Sequence, residues 1–143
     1  MPDADPCDVI RRTRSAAIVG VSNNPTRPSH EVASYLASHT DWTIWYVNPN
    51  ETEILGQPVY ASLHDLPGVP DLVDVFRRRD EVPGVVDDAI AIGAGAVWLQ
   101  LGLQHPAAAA VATNAGLGVV QNRCLKTEHV RMTNDVQVVS DTT

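Results

Sequence analysis

The sequence predicts a doubly wound α/β fold, a parallel sheet of about six strands with helices on both faces. Short apolar runs rich in β-branched residues alternate along the chain with patterns of helical period, the rhythm of strand–helix–strand units. The first run, residues 15–21 (SAAIVGV), is apolar nearly throughout, as a central parallel strand covered on both faces has to be.

The remaining elements follow in order. Residues 29–38 place Val32, Ala33, Tyr35 and Leu36 on one helical face, with Ser29 as the expected N-cap. Residues 43–47 (TIWYV) form a second strand, stopped by Asn48 and Pro49. Residues 56–61 (GQPVYA) turn into a short third strand, and Pro58 suits it to an edge because it cannot donate to a ladder. Residues 71–76 (DLVDVF), 96–101 (AVWLQL) and 118–121 (GVVQ) complete six strands. Between and after them, helices are expected over residues 82–92, about 106–115, and 124–132. Arg11, Arg12 and Arg14 belong to a short leading helix, and the polar residues 133–143 read as a disordered tail. The chain reads as one domain with its core at about residues 15–132. These connections fit the Rossmann-like strand order 3-2-1-4-5-6. There the chain reverses between the first and fourth strands, and ligands bind outside the strand carboxyl ends. The two loops at that crevice, residues 21–28 and 77–80, both carry arginine.

Composition narrows the function. The chain has 143 residues, 44% of them hydrophobic. A chain of that size buries roughly 70% of the surface its unfolded form exposes, so it needs no disulfide or metal to fold. Cys7 and Cys124 lie far apart without metal-type spacing and read as free thiols in a reducing compartment. Residues 1–6 lack an apolar signal core, and no run approaches the roughly 18 apolar residues of a membrane span. A cytoplasmic protein without a membrane partner is expected. The formal charge of −7 argues against nucleic acid as a partner, since such proteins carry a basic stripe. None of the five histidines forms a His-x-x-x-His pair, so no metal site is expected.

A dinucleotide site would need G-x-G-x-x-G after the first strand, so that the pyrophosphate can approach a helix N-terminus. The matching positions are Gly20, Ser22 and Pro25, and only the first is glycine. Asn48-Pro49 stands where an acidic residue would bind a ribose hydroxyl. NAD, NADP and flavin are therefore disfavoured. In their place is a longer loop, GVSNNPTRPS over residues 20–29, opening onto a helix start whose free N–H groups and dipole favour an anion. Arg27 adds a guanidinium fork suited to phosphate.

The segments VGVSNNPTRPSHEVASYL, YVNPN, ILGQPVYASLHDLP, VDVFRRRDEVP, WLQLGLQHP and VVQNRCLKTEH occur in this order. Together they resemble the stand-alone CoA-binding protein family, which is similar to the CoA-binding N-terminal domain of the succinyl-CoA synthetase α subunit. The resemblance covers about residues 15–132. It implies coenzyme A, or an acyl-CoA, laid across the strand ends. It further implies that Gly20, Ser22 and Arg27 meet the diphosphate or the 3′-phosphate, and that Asn48 and Pro49 border the nucleotide. Phe76 and Arg77, with Val82, would line the other wall, and Gln100 and Gly102 the path of the pantetheine arm. Ser29, Asn122, Arg123 and Cys124 are further candidates, the last three resembling the synthetase's Asn-Cys segment.

In the synthetase a second domain carries the phosphorylated histidine and a β subunit supplies the nucleotide site. This chain is expected to hold neither, and His129 in the final helix does not match that histidine. A carrier, sensor or accessory module without complete catalytic machinery is the expected function. The alternative is a subunit or remnant of an acyl-CoA synthetase or transferase that acts with a separate partner chain. Structural readings stand beside several candidates. Phe76 is either core or cleft wall, Asn48-Pro49 a strand stop or a ligand border, and Arg78 and Arg79 surface. Cys124 is either a small packed residue or a helix-start thiol.

Overall fold

The computed structural model describes residues 3–141, with side chains as far as residue 134. In chain order its strands are β1 (Ser15–Val19), β2 (Thr43–Val47), β3 (Glu53–Ile54), β4 (Gln57–Tyr60), β5 (Leu72–Val75), β6 (Ala96–Leu99) and β7 (Gly118–Val120). Its α-helices are α1 (Pro6–Arg12), α2 (Pro28–His39), α3 (Val82–Ile92), α4 (Pro106–Asn114) and α5 (Leu125–Asp141). The sheet runs β3-β4-β2-β1-β5-β6-β7, with every pair parallel except β3 and β4.

The alternation of side chains along each strand explains why the strands are uniformly apolar. On β1, Ala17 and Val19 join Val73, Val75, Val97, Leu99 and Val119 in a core closed by α3 and α4. Ala16 and Ile18 join Leu72, Trp98 and Val120 in a second core closed by α1, α2 and α5. With helices on both faces, neither set of positions can be polar without cost.

Removing the short antiparallel strand leaves the expected order. The seventh strand, β3, comes from a two-residue hairpin in which Leu55 (φ 51°) and Gly56 (φ 75°) both take left-handed backbone, as such turns require. Two paired residues are too few to show a period in the sequence. The expectation that Pro58 marks an edge is corrected accordingly, because β4 is flanked by β3 and β2. Pro58 is tolerated there because the β2 ladder begins one residue later, at Val59. Two further corrections concern helix ends. Arg14 lies beyond α1, which is capped at Thr13, and α5 continues through Asp141 where a helix ending near Met132 and a polar tail were expected. Among the described residues no helix is long and apolar enough to cross a membrane.

Candidate functional site

The crossover point is held together by one glycine. Gly20 follows β1 with φ 84°, and a Cβ there would overlap the Phe76 carbonyl oxygen and stand 2.9 Å from Cδ of Arg77. The amide of Phe76 donates to the Val19 carbonyl at 2.8 Å, and that of Gly20 to Val47 at 2.8 Å. The ends of β1, β2 and β5 are thereby tied side by side, and the chain leaves them in two loops.

The first loop is shaped by its own small polar residues. Ser22 Oγ accepts from the Asn24 amide at 3.0 Å, and Asn24 Oδ1 accepts from the Thr26 amide at 3.0 Å and its hydroxyl at 2.8 Å. Asn and Ser serve here because their short side chains mimic a backbone turn. The expected cap is corrected. Arg27 occupies the N-cap of α2, no side chain caps that end, and Ser29 lies inside the first turn, where its hydroxyl accepts from the Ser22 amide at 2.9 Å. Ser29 thus pins the loop to the helix instead of satisfying the helix start. Pro28 has no N–H and the His30 and Glu31 amides donate to the Arg27 carbonyl at 3.1 and 3.2 Å, which leaves the Ser29 amide at that start for a ligand.

A cleft of about 870 Å³ opens over the ends of β1, β5 and β6, between the starts of α2 and α5. That is the size of an ordinary small-molecule site. Arg27, Arg77, Arg78, Arg79 and Lys126 all line it. Two carboxylates answer them. Glu81 pairs with Arg77 and Arg78, each at 3.3 Å, and Glu31 pairs with Lys126 at 2.8 Å. The hydrogen bond from Lys126 lowers the Glu31 carboxyl below its usual range and raises the Lys126 ammonium. Arg79 is oriented by donating from Nε to the Gln104 carbonyl at 2.9 Å. Arg27 has no carboxylate partner among the described residues. Half of the chain's ten Lys and Arg residues thus ring one cleft of a protein whose net charge is −7. Concentrating cations in this way raises the local concentration of an anionic ligand.

Residues 14–130 match the family model described as the CoA binding domain. The chain belongs to that family. It is 33% identical over 122 residues to the uncharacterized protein YneT of Bacillus subtilis, covering 85% of this chain and 90% of that protein. A structure of a hypothetical protein from Pyrococcus horikoshii superposes with a TM-score of 0.84 at 35% identity, covering 92% of each chain. A 65-residue stretch is 32% identical to the alpha subunit of acetate–CoA ligase (ADP-forming) II of Pyrococcus furiosus, 46% of this chain but 14% of that one. The dinucleotide-forming acetyl-coenzyme A synthetase 1 of Korarchaeum cryptofilum shares the fold, with a TM-score of 0.68 at 22% identity over 74% of this chain and 25% of its own.

Within this CoA-binding domain the cleft gathers nine of the residues singled out from sequence: Gly20, Ser22, Arg27, Ser29, Phe76, Arg77, Gln100, Gly102 and Cys124. Cys124 is half-buried against the α2–α5 core, whereas Cys7 lies in α1, outside the cleft. Five candidates do not line the cleft. Asn48 spends its side chain on the loop, donating from Nδ2 to the Val21 carbonyl at 2.8 Å and accepting from the Asn50 amide at 2.9 Å. Pro49 is exposed in the turn beyond it. Val82 is completely buried in the α3–α4 core, so it cannot form a wall. Asn122, at φ 57°, accepts from the Gly102 amide at 2.7 Å and so shapes the neighbouring loop. The Arg123 carbonyl accepts from Trp98 Nε1 at 2.8 Å while its guanidinium turns to Glu128 at 3.4 Å.

The structure adds residues outside the candidate set, two of which, Arg78 and Arg79, were read as surface. Lys126 and Thr127 reach the cleft from the first turn of α5, Leu101 and Leu103 from the loop after β6, and Arg78 and Arg79 from the loop after β5. Lys126 stands just after a strand, as Arg27 does, and that position was the available signal. The choice between Arg123 and Lys126 depends on which way the chain turns into α5.

Proposed function

We propose that this domain binds coenzyme A or an acyl-CoA across the carboxyl ends of β1, β5 and β6, as a carrier, sensor or accessory module. The observation that carries the reading is the ring of five cations around one cleft of an acidic chain. Coenzyme A offers a diphosphate and a 3′-phosphate, and each wants N–H donors or guanidinium groups. The uncapped start of α2 and Arg27 suit the diphosphate, and Arg77 with its neighbours suits the second phosphate group. Phe76 offers a face for the adenine. Gln100, Leu101 and Gly102 suit the pantetheine arm, which alternates amide and methylene groups. Titration calorimetry with coenzyme A, dephospho-CoA, NAD and ATP tests the reading. Coenzyme A is expected to bind tightest, and NAD binding at least as tightly overturns it.

Arg27→Ala is expected to weaken coenzyme A binding by about 1.5–3 kcal/mol, the worth of a hydrogen bond to a charged group, with the unfolding midpoint unchanged. The residue is exposed and its side chain makes no contact on which the fold depends. Unaltered affinity removes Arg27 from the phosphate site.

A second reading, in which the domain serves a synthetase-like partner chain, draws on the stretch shared with the acetate–CoA ligase alpha subunit. Affinity capture of the tagged protein from its own cells, with and without coenzyme A, tests it. Recovery of a ligase-type subunit supports the second reading, and recovery of the domain alone leaves the first.

A further inference from the structure

Beneath the cleft lies a carboxyl group that the phosphate contacts do not use. Asp74 stands in the middle of β5, on the face that packs against α2 and α5, with Ile18 of β1 and Trp98 of β6 directly beside it. All three are completely buried. Asp74 Oδ2 is a buried polar atom without a partner among the described residues, and Oδ1 accepts a hydrogen bond from Nε2 of Gln100. A strand centre packed between an isoleucine and a tryptophan gains nothing in stability from a carboxyl group, since an apolar residue of that volume would avoid the cost of an unpaired oxygen. Its single partner, Gln100, is itself 6% exposed, and that small exposed surface lies on the cleft. The other end of the same amide, Oε1, has no partner among the described residues, nor is it among the buried unpaired atoms. It is therefore the part of Gln100 left to meet a ligand.

We infer that Asp74 is a positioning residue that holds the Gln100 amide with its nitrogen inward and its oxygen toward the cleft, as an acceptor for an N–H group of the ligand's amide-bearing arm. A glutamine free to rotate presents either end of its amide and discriminates between neither donor nor acceptor. With Oδ1 of Asp74 occupying the nitrogen, only the oxygen faces outward. The cleft then distinguishes a ligand carrying amide N–H groups from one carrying phosphates alone. This inference rests on the coenzyme A reading above and concerns the end of the ligand that bears no charge.

The test compares two probes, coenzyme A and adenosine 3′,5′-bisphosphate, which keeps the 3′-phosphate and the first 5′-phosphate and lacks the second 5′-phosphate and the amide arm. Calorimetry is run on the native chain and on Gln100→Met, Asp74→Asn, Asp74→Leu and the double variant Asp74→Leu/Gln100→Met. Gln100→Met is expected to weaken coenzyme A by about three- to tenfold, the range of one neutral hydrogen bond, and to leave the bisphosphate unchanged. Asp74→Leu is expected to do the same without touching the ligand, and the double variant to bind no more weakly than Gln100→Met. Asp74→Asn is expected to bind coenzyme A with an affinity between those of the native chain and Asp74→Leu, because its amide can offer Gln100 either its oxygen or its N–H groups. Equal loss for both probes, additive losses in the double variant, or native affinity in Gln100→Met overturns the inference. Gln100→Met decides the matter even if Asp74→Leu fails to fold. Failure of the native chain to bind coenzyme A overturns the reading of the cleft itself, and with it the role of the pair.

Discussion

Asp74→Asn is expected to stabilise the protein at neutral pH, by an amount that shrinks to a constant offset near pH 4. Burial is the main force on the Asp74 carboxyl and raises it from 3.8 to about 7, partly offset by the hydrogen bond from Gln100. The groups beside it on β1 and β6 are Ile18 and Trp98, which carry no charge. In the unfolded chain the carboxyl loses its proton near pH 4, while in the folded protein it keeps the proton to about pH 7. Between those values the folded state binds more protons, so stability falls as pH rises. A shift of this size corresponds to a loss on the order of 4 kcal/mol above pH 7, a large share of a small domain's stability. Asparagine has the same shape and does not titrate. Urea unfolding of both proteins at pH 4.5, 6 and 7.5 measures the difference, and other ionisable groups cancel because both proteins contain them. A difference independent of pH shows that Asp74 does not titrate between the two values.

Gly20→Ala is expected to cost about 3 kcal/mol or more and to disturb the site as well as the fold. Two penalties combine. A left-handed backbone conformation costs a residue with a side chain about 1–3 kcal/mol. The added methyl also has no room, because it would meet the backbone carbonyl of Phe76, which cannot rotate aside as a flexible side-chain end could. Relief requires β1 and β5 to part at their ends, and that displaces Phe76 and Arg77 from the cleft wall. Denaturant unfolding at pH 6 measures the stability. A loss below about 1 kcal/mol means that the strand ends are not packed as tightly as the geometry implies.

The alternating apolar runs made the six principal strands and their order legible, because a strand buried on both faces cannot hide its composition. The places of Gly20 and Arg27 at the cleft were legible for a similar reason. A glycine at a strand end and an arginine before a helix each have a restricted set of physical uses. Val82 was misread because its position in the chain, six residues after Phe76, does not reveal that α3 directs it into the core. Asn48 and Asn122 were misread because an asparagine suited to a ligand is equally suited to bracing a turn, and here both brace one.

By itself, then, the sequence determined the sheet order, the position of the crevice and an arginine on each of its two loops, since these depend on local patterning and on chain order. Only the tertiary structure decided that Lys126 closes the cleft against Glu31, residues 95 positions apart in the chain. It alone decided that Asp74 lies beneath Gln100, 26 positions away. Both pairs form between elements brought together by the packing of the sheet, and the direction of a side chain across such a junction is set by the angle at which the elements meet, which no local pattern of residues records.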